Sequence, residues 1–565
     1  MMKAIKYSLG ISLAVVMHSL PFGEGWGGVY AQKSLKDTMI HVVKSFVPTI
    51  ADAYKMNDMP AVKDSIPPAP HLSYGINSKK VFTPFTVEQL KSAKMLGEPL
   101  TKLYSSLVKI GGGNYNTPYA EVFYNNMRSK EMSYGGHMKH LSSKATYDGF
   151  GYGGFSDNEV GVYGKKFLHK HTVSGNIDYT RDAIHYYGYD TGAVHILNDE
   201  ENVTKQWYSN IGGNAALQSH YTDSMHPNYL LNLKYYNLQD FWGTSENNLG
   251  ASGDASWYYE KQLVHVPLSV DYFNNRSEED SSHSVLIGLN PHILSSGDKW
   301  KTCLGMGIAV EGNQNDKSRF LFYPNIDFNY NVLQNIIVPY AGAAGRLKKN
   351  SLKTLTDENP FLVPGPELKN TNTRWELYGG IKGSFTKNIS YNTRASFSRV
   401  QDMYFFVNDD EDIFKKGFNT VYDDANLFNV HGEVQFQSEE KIKVIAKGDL
   451  NTYDMLKEYK PWQKPLWQTT LSINYNLKNK IVATADVFVI GNRNARILET
   501  GPLVSIYAAK ELKPLVDLNL GLEYRYSKKL SGFAHFNNLG FKRYTLWNNY
   551  PTQKFNFLMG ITMVF

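Results

Sequence analysis

Few residues in this 565-residue chain stand at spacings that do chemistry. Two local histidine pairs occur, His137 with His140 and His169 with His171. Side chains three apart on a strand point to opposite faces, so His137 and His140 suit a shared metal poorly. His169 and His171 share a face, but they sit where the sequence reads as a turn. The acidic runs Asn408-Asp409-Asp410-Glu411-Asp412 and Asn198-Asp199-Glu200-Glu201 offer oxygen donors for a hard cation, although such runs are more often solvated loop surface. The single cysteine, Cys303, excludes an intramolecular disulfide, a CxxC redox motif, a Cys-based zinc site and an N-terminal lipid anchor. No GxSxG, P-loop, HExxH or EF-hand loop is present. The expectation is a non-enzyme with no catalytic residue, no cofactor and no metal. A site assembled from several strands would escape such a reading. The net charge of +6 is spread along the chain and leaves no nucleic-acid footprint.

The elements that would position any site are strands. From about Lys102 onward apolar and polar residues alternate. Val516, Leu518, Leu520, Leu522, Tyr524 and Tyr526 interleave with Asp517, Asn519, Gly521, Glu523 and Arg525. Ile326, Phe328, Tyr330 and Val332 interleave with Asn325, Asp327, Asn329 and Asn331, and the segments around Leu471 and Val173 repeat the pattern. Successive strand side chains point to opposite faces, so each strand has one apolar and one polar face.

The connections fall into two kinds. Short polar turns are expected at Arg128-Ser129-Lys130, Thr386-Lys387-Asn388, Ser438-Glu439-Glu440, Lys478-Asn479-Lys480 and Ser527-Lys528-Lys529. Long irregular loops are expected over 142–158, 185–203, 348–372, 402–424 and 491–510. About 22 strands result, with short turns after even-numbered strands and long loops after odd-numbered ones. A transmembrane antiparallel β-barrel with periplasmic turns and extracellular loops has this asymmetry. Aromatic content of 14%, with 39 Tyr, suits aromatic belts at both membrane interfaces.

Residues 1–31 read as an export signal: Lys3 and Lys6, the apolar stretch Tyr7 to Phe22, and Val29-Tyr30-Ala31 before Gln32. Residues 32–101 read as an N-terminal periplasmic extension or lumen segment. Met39, Val42, Val43, Phe46, Val47 and Ile50 have helical spacing, Ser65 to Pro70 breaks it, and a short helix is expected around Val87 to Lys94. The barrel is expected over 102–565.

The chain ends on an alternating strand with Phe555, Phe557, Met559, Ile561, Met563 and Phe565 on one face. This end resembles that of bacterial outer-membrane barrels, whose terminal aromatic is read by the barrel assembly machinery. Phe557, Met559, Ile561, Met563 and Phe565 are therefore the expected assembly signal. Asp517, Asn519, Glu523 and Arg525 are the expected lumen-facing polar set, beside Lys234, Asp327, Lys382, Glu433 and Asp486.

The last fifty residues resemble the closing strands of TonB-dependent receptor barrels of the Bacteroidota type. The carrying segments are Val516 to Tyr526, Asn537-Asn538-Leu539-Gly540-Phe541-Lys542-Arg543-Tyr544, Tyr550-Pro551 and the strand from Lys554. The resemblance implies a 22-stranded barrel in the outer membrane, in contact with its lipids, that serves passage of a solute. Receptors of that family carry a plug domain and a TonB-contacting box, and residues 32–101 are too short for such a plug. A lumen this wide needs closing. The N-terminal extension, inward-folded loops such as 402–424, or a periplasmic or lipoprotein partner would do it. The rival class is a non-transporting structural or assembly-partner barrel.

Overall fold

The computed structural model describes residues 103–565 except 193–202, 224, 279–280, 315–316, 411–416 and 501–504. The expected export signal, N-terminal extension and 198–201 acidic run lie outside the described residues, as does part of the 408–412 run. One antiparallel sheet contains 23 hydrogen-bonded segments. Two of them, Ser281–Leu289 and His292–Ser296, lie between the same neighbours. They are one strand interrupted at Asn290-Pro291, where proline has no N–H to give the ladder. The sheet is therefore a ring of 22 strands.

The ring closes between its first and last strands. Ser106–Gly113 pairs with Asn556–Val564 in the register Leu107↔Val564 to Gly113↔Leu558. Gly111 stands opposite Gly560 in this seam. A Cβ on Gly560 would lie 2.2 Å from the Ile110 carbonyl oxygen, so the backbones meet at a distance only glycine permits. Closure follows from the solvent: hydrocarbon offers no partner for an unpaired strand edge.

The alternation seen in the sequence separates the two faces of the wall. Met138, Val160, Ile177, Ile211, Leu233, Leu249 and Phe322 are exposed on the outside. Trp257, Tyr259, Trp300, Tyr330 and Tyr526 are exposed near the short-turn end, where an aromatic belt belongs. On the inner face opposite charges meet: Lys234 with Asp271 at 2.8 Å, Lys109 with Glu121 at 3.2 Å and Arg394 with Glu376 at 2.9 Å. The fold is an outer-membrane-type β-barrel.

All connections at one end are short, and the five expected turns are among them. The other end holds the long ones, 144–154, 186–204, 349–370, 456–466, 491–514 and 538–555, together with some tight turns such as 114–116. By the usual asymmetry the long-loop end is extracellular.

Three loop expectations change. Within 402–424 the segments 403–408 and 418–423 are strand rather than irregular loop. The strands Ile389–Asn408 and Phe418–Ser438 run on through them, paired from Met403↔Asp423 to Asn408↔Phe418. Their apolar residues do not alternate because both faces are covered. Phe406 and Phe418 belong to one buried cluster, and Phe405 and Val407 pack with Trp462 in another. Within 491–510 a strand Arg493–Thr500 pairs antiparallel with Ser505–Leu512, a local ladder apart from the wall. Residues 348–372 enclose a helix, Leu352–Glu358. At the chain end, Phe555 precedes the last strand and stacks on Phe541 at 4.9 Å.

Candidate functional site: a lid across the extracellular mouth

The lid starts from the loop 349–370. Its neck is pinched where the Asn350 side chain donates to the Lys369 carbonyl at 2.7 Å and the Asn370 side chain accepts the Asn350 N–H at 3.0 Å. The helix Leu352–Glu358 begins in a capping box of Ser351 with Thr354. Two further N–H groups of its first turn donate to a carboxylate from the wall, Leu352 to Glu246 at 2.7 Å and Lys353 at 3.2 Å. The Tyr236 hydroxyl donates to the same carboxylate at 2.8 Å. Glu246 is fully buried. A buried carboxylate is stable where several donors, and the positive end of a helix, converge on it.

The other end of the helix is tied by charge. Lys464 donates to Glu358 at 2.8 Å, and the Tyr404 hydroxyl donates to the same carboxylate. Burial alone would raise the Glu358 pKa. Lys464, Tyr404 and Lys348 outweigh it and hold the carboxyl below its ordinary value. The Asp423 carboxylate accepts the backbone N–H groups of Leu456, Lys457 and Glu458, and so fixes the loop that brings Lys464.

Beyond the helix the chain crosses the mouth. The Tyr186 hydroxyl donates to the Leu362 carbonyl at 2.5 Å, and Tyr208 donates to the Pro360 carbonyl at 3.0 Å. Tyr186 follows the fifth strand, His171–His185, and Tyr208 lies in the sixth, Lys205–Ser219. On its other side Leu362 bridges to Phe418, the first residue of the sixteenth strand. The fifth and sixteenth strands stand on opposite sides of a 22-strand ring, so segments reaching in from both sides meet at residues 360–362.

The loop 538–555 seals against this bridge. Tyr550 stacks on Phe361 at 4.0 Å and meets Tyr187 edge-on at 4.9 Å, and Trp547 meets Phe406 at 5.3 Å. Leu355, Leu362, Tyr404, Phe406, Phe418, Trp547 and Tyr550 form one buried cluster. Each side chain so buried contributes roughly 1.5–3 kcal/mol. Asn548 donates to Asn408 at 2.7 Å, Gln553 to Ser143 at 3.1 Å, and Arg493 to the Thr545 carbonyl at 2.7 Å and to that of Leu546. Burial lowers the Arg493 pKa to about 10. A cavity of about 70 Å³ remains beside Tyr147, Tyr187, Phe361, Trp547, Tyr550 and Gln553.

The sequence singled out none of these lid anchors except Tyr550, quoted in the resemblance, and Asn408, quoted in an acidic run. Glu246, Glu358 and Phe361 lie about a hundred or more positions from their partners Leu352, Lys464 and Tyr550 and carry no motif. The unbroken apolar run Met403-Tyr404-Phe405-Phe406-Val407 was the one local signal, since a strand covered on both faces does not alternate.

The other residues singled out in the sequence are dispersed. His137 pairs with Glu159 at 3.0 Å, and His140 pairs with Asn158 at 2.8 Å on the opposite face. His171 lies 3.0 Å from the Tyr229 hydroxyl. Cys303 stands opposite Asp327, whose carboxylate accepts the Tyr378 hydroxyl at 2.9 Å. Among the described residues, no three His, Cys, Asp or Glu side chains come together as a metal site. In the strand Leu515–Arg525, Val516, Leu518, Leu520, Leu522 and Tyr524 are exposed. Asn519 is buried and accepts the Asn538 N–H at 3.0 Å, at the start of the lid loop. Asp517 is half-buried, and Glu523 pairs with Arg525 at 3.2 Å. Phe557 is half-buried, Met559 and Ile561 are exposed on the outer wall, and Phe565 closes the seam, donating its N–H to Ser106 at 2.9 Å.

No protein-family model matches the chain. No curated protein matches it by sequence. Solved structures do match in fold. The FrpB iron transporter of Neisseria meningitidis superposes with a TM-score of 0.64 at 9% identity, covering 82% of each chain. The siderophore receptor PirA of Acinetobacter baumannii gives 0.62 at 9% identity, covering 83% of this chain and 81% of that one. The ferripyoverdine receptor of the Pseudomonas aeruginosa outer membrane gives 0.60 at 11% identity, covering 82% and 72%. The chain thus has the barrel fold of TonB-dependent receptors, and at these identities the likeness is one of fold.

Proposed function

We propose that this protein is an outer-membrane transport barrel, related to TonB-dependent receptors, for a solute taken from the extracellular side. The carrying observation is the lid. Residues 360–362 join segments that come from opposite sides of the ring, and 538–555 seals against them. A barrel this wide would otherwise leave an aqueous hole. A closure of separate loops held by hydrogen bonds and one aromatic cluster can open without disturbing the ladder of the wall. The fold neighbours named an iron transporter and siderophore receptors support transport as the class of function and leave the solute open. Asp517, Asn519, Glu523 and Arg525 are proposed to line the lumen below the lid, and residues 32–101 to occupy its periplasmic mouth or to dock a periplasmic or lipoprotein partner.

The test is conductance in planar bilayers. The intact protein should be quiet. Replacing 351–366 by a short Gly-Ser linker should give a large open channel if the lid is the main barrier. If deletion of residues 32–100 is also needed, the extension is the second barrier. A linker variant that stays quiet even without the extension would remove transport as the reading and favour a structural or assembly-partner barrel.

A further inference from the structure

The outer face of the wall carries a polar row in direct register on one side of the ring. His140, Asn158, Arg181, Ser209 and Gln239 stand side by side on the third to seventh strands. One step toward the short-turn end the neighbours are Met138, Val160, Tyr179 and Ile211, exposed by 56%, 44%, 39% and 51%. The membrane band ends between these two rows, and the polar row faces the extracellular leaflet's headgroups.

Arg181 is exposed, and its guanidinium lies over the Trp207 ring at 5.2 Å. Among the described residues no carboxylate comes within ion-pairing distance of it. Arg399 holds the matching outward position on the far side of the ring, above exposed Phe397 and Phe428. That arginine is satisfied within the chain, by Asn426 at 2.9 Å and Asp424 at 3.7 Å. The groups around Arg181 bring no carboxylate: His140 is bound to Asn158 at 2.8 Å and to Ser142 at 3.2 Å, and the Tyr179 hydroxyl accepts from Ser209 at 3.3 Å. A Trp-backed guanidinium at the membrane boundary, with no counter-charge among the described residues, has the form of a receptor for an anion fixed at that depth.

We propose that this row binds the phosphate of an outer-leaflet lipid headgroup, with Arg181 as the charge partner and Trp207 and Tyr179 flanking the lipid. Arg181 supplies the bidentate donor fork that suits phosphate oxygens, and acyl chains would lie along Met138, Val160 and Ile211.

The experiment is native mass spectrometry of the full-length protein from uncharged detergent, titrated with dioleoyl phosphatidic acid, with diolein, or with inorganic phosphate. Phosphatidic acid should bind the protein and its Arg399→Gln variant alike, and Arg181→Gln roughly fivefold more weakly. Diolein should bind far less than phosphatidic acid to the unaltered protein, a comparison that needs no variant to fold. Equal retention by Arg181→Gln, or equal binding of diolein, would overturn the proposal. Displacement of the lipid by inorganic phosphate at comparable concentration would show a free-anion site and would also overturn it.

Discussion

Glu246 is the sharpest test of the lid. Its carboxylate accepts three hydrogen bonds, from Leu352 N–H, Lys353 N–H and the Tyr236 hydroxyl, in a fully buried place. Hydrogen bonds to a charged acceptor contribute roughly 1.5–3 kcal/mol each, and a buried donor left bare adds a further cost. Glu246→Ala removes all three acceptor contacts at once. Water admitted by the smaller side chain recovers part of the loss, and the capping box at Ser351 survives, so about 3 kcal/mol is a fair net cost of docking the helix. At about 1.4 kcal/mol per decade this raises the open population roughly 150-fold. The assay is maleimide labelling of Leu355→Cys in a Cys303→Ser background, because Leu355 is 1% exposed when the lid is shut. If opening is fast relative to labelling, the rate follows the open population. Glu246→Gln keeps one acceptor oxygen and should fall between. Heat-modifiable gel mobility should be unchanged in all variants, since the ladder of the wall is untouched. A labelling rate within twofold of the parent in Glu246→Ala would refute the view that Glu246 holds the lid.

Four further outcomes are expected. Leu233→Arg, on the outer face, should destabilise the barrel by roughly 2–4 kcal/mol if it lies near the midplane, whereas Ser252→Arg on the inner face should be tolerated, and denaturant unfolding in detergent compares them. Deleting Phe565 should reduce the heat-modifiable barrel in outer-membrane fractions, because the seam loses its last pairing and the expected assembly signal its end. The Glu358 carboxyl is held below its ordinary pKa, so its stabilisation of the lid is complete above that ordinary value and is lost as pH falls through the lowered one. Labelling at Leu355→Cys with an acid-tolerant reagent should therefore rise only in strong acid, and Glu358→Gln should raise it at neutral pH and flatten the profile. Cysteine at Asp409 should react with an impermeant reagent on intact cells and cysteine at Asn479 should not, a pattern whose reversal would invert the barrel.

The sequence by itself determined the wall. Side chains alternate along a strand with a period of two, and lipid and lumen impose opposite polarity on the two faces. Val516 to Arg525 therefore declared its faces without reference to any distant residue, and the count of 22 strands and the short turns at one end followed from the same local rule. Only the tertiary structure decided what lies across the mouth. Glu246 meets Leu352, Glu358 meets Lys464, and Phe361 meets Tyr550, each pair about a hundred or more positions apart. No period links such residues, because loops have none. Their partners are chosen by which strand ends face each other across the closed ring, and that is fixed only once Ser106–Gly113 has paired with Asn556–Val564.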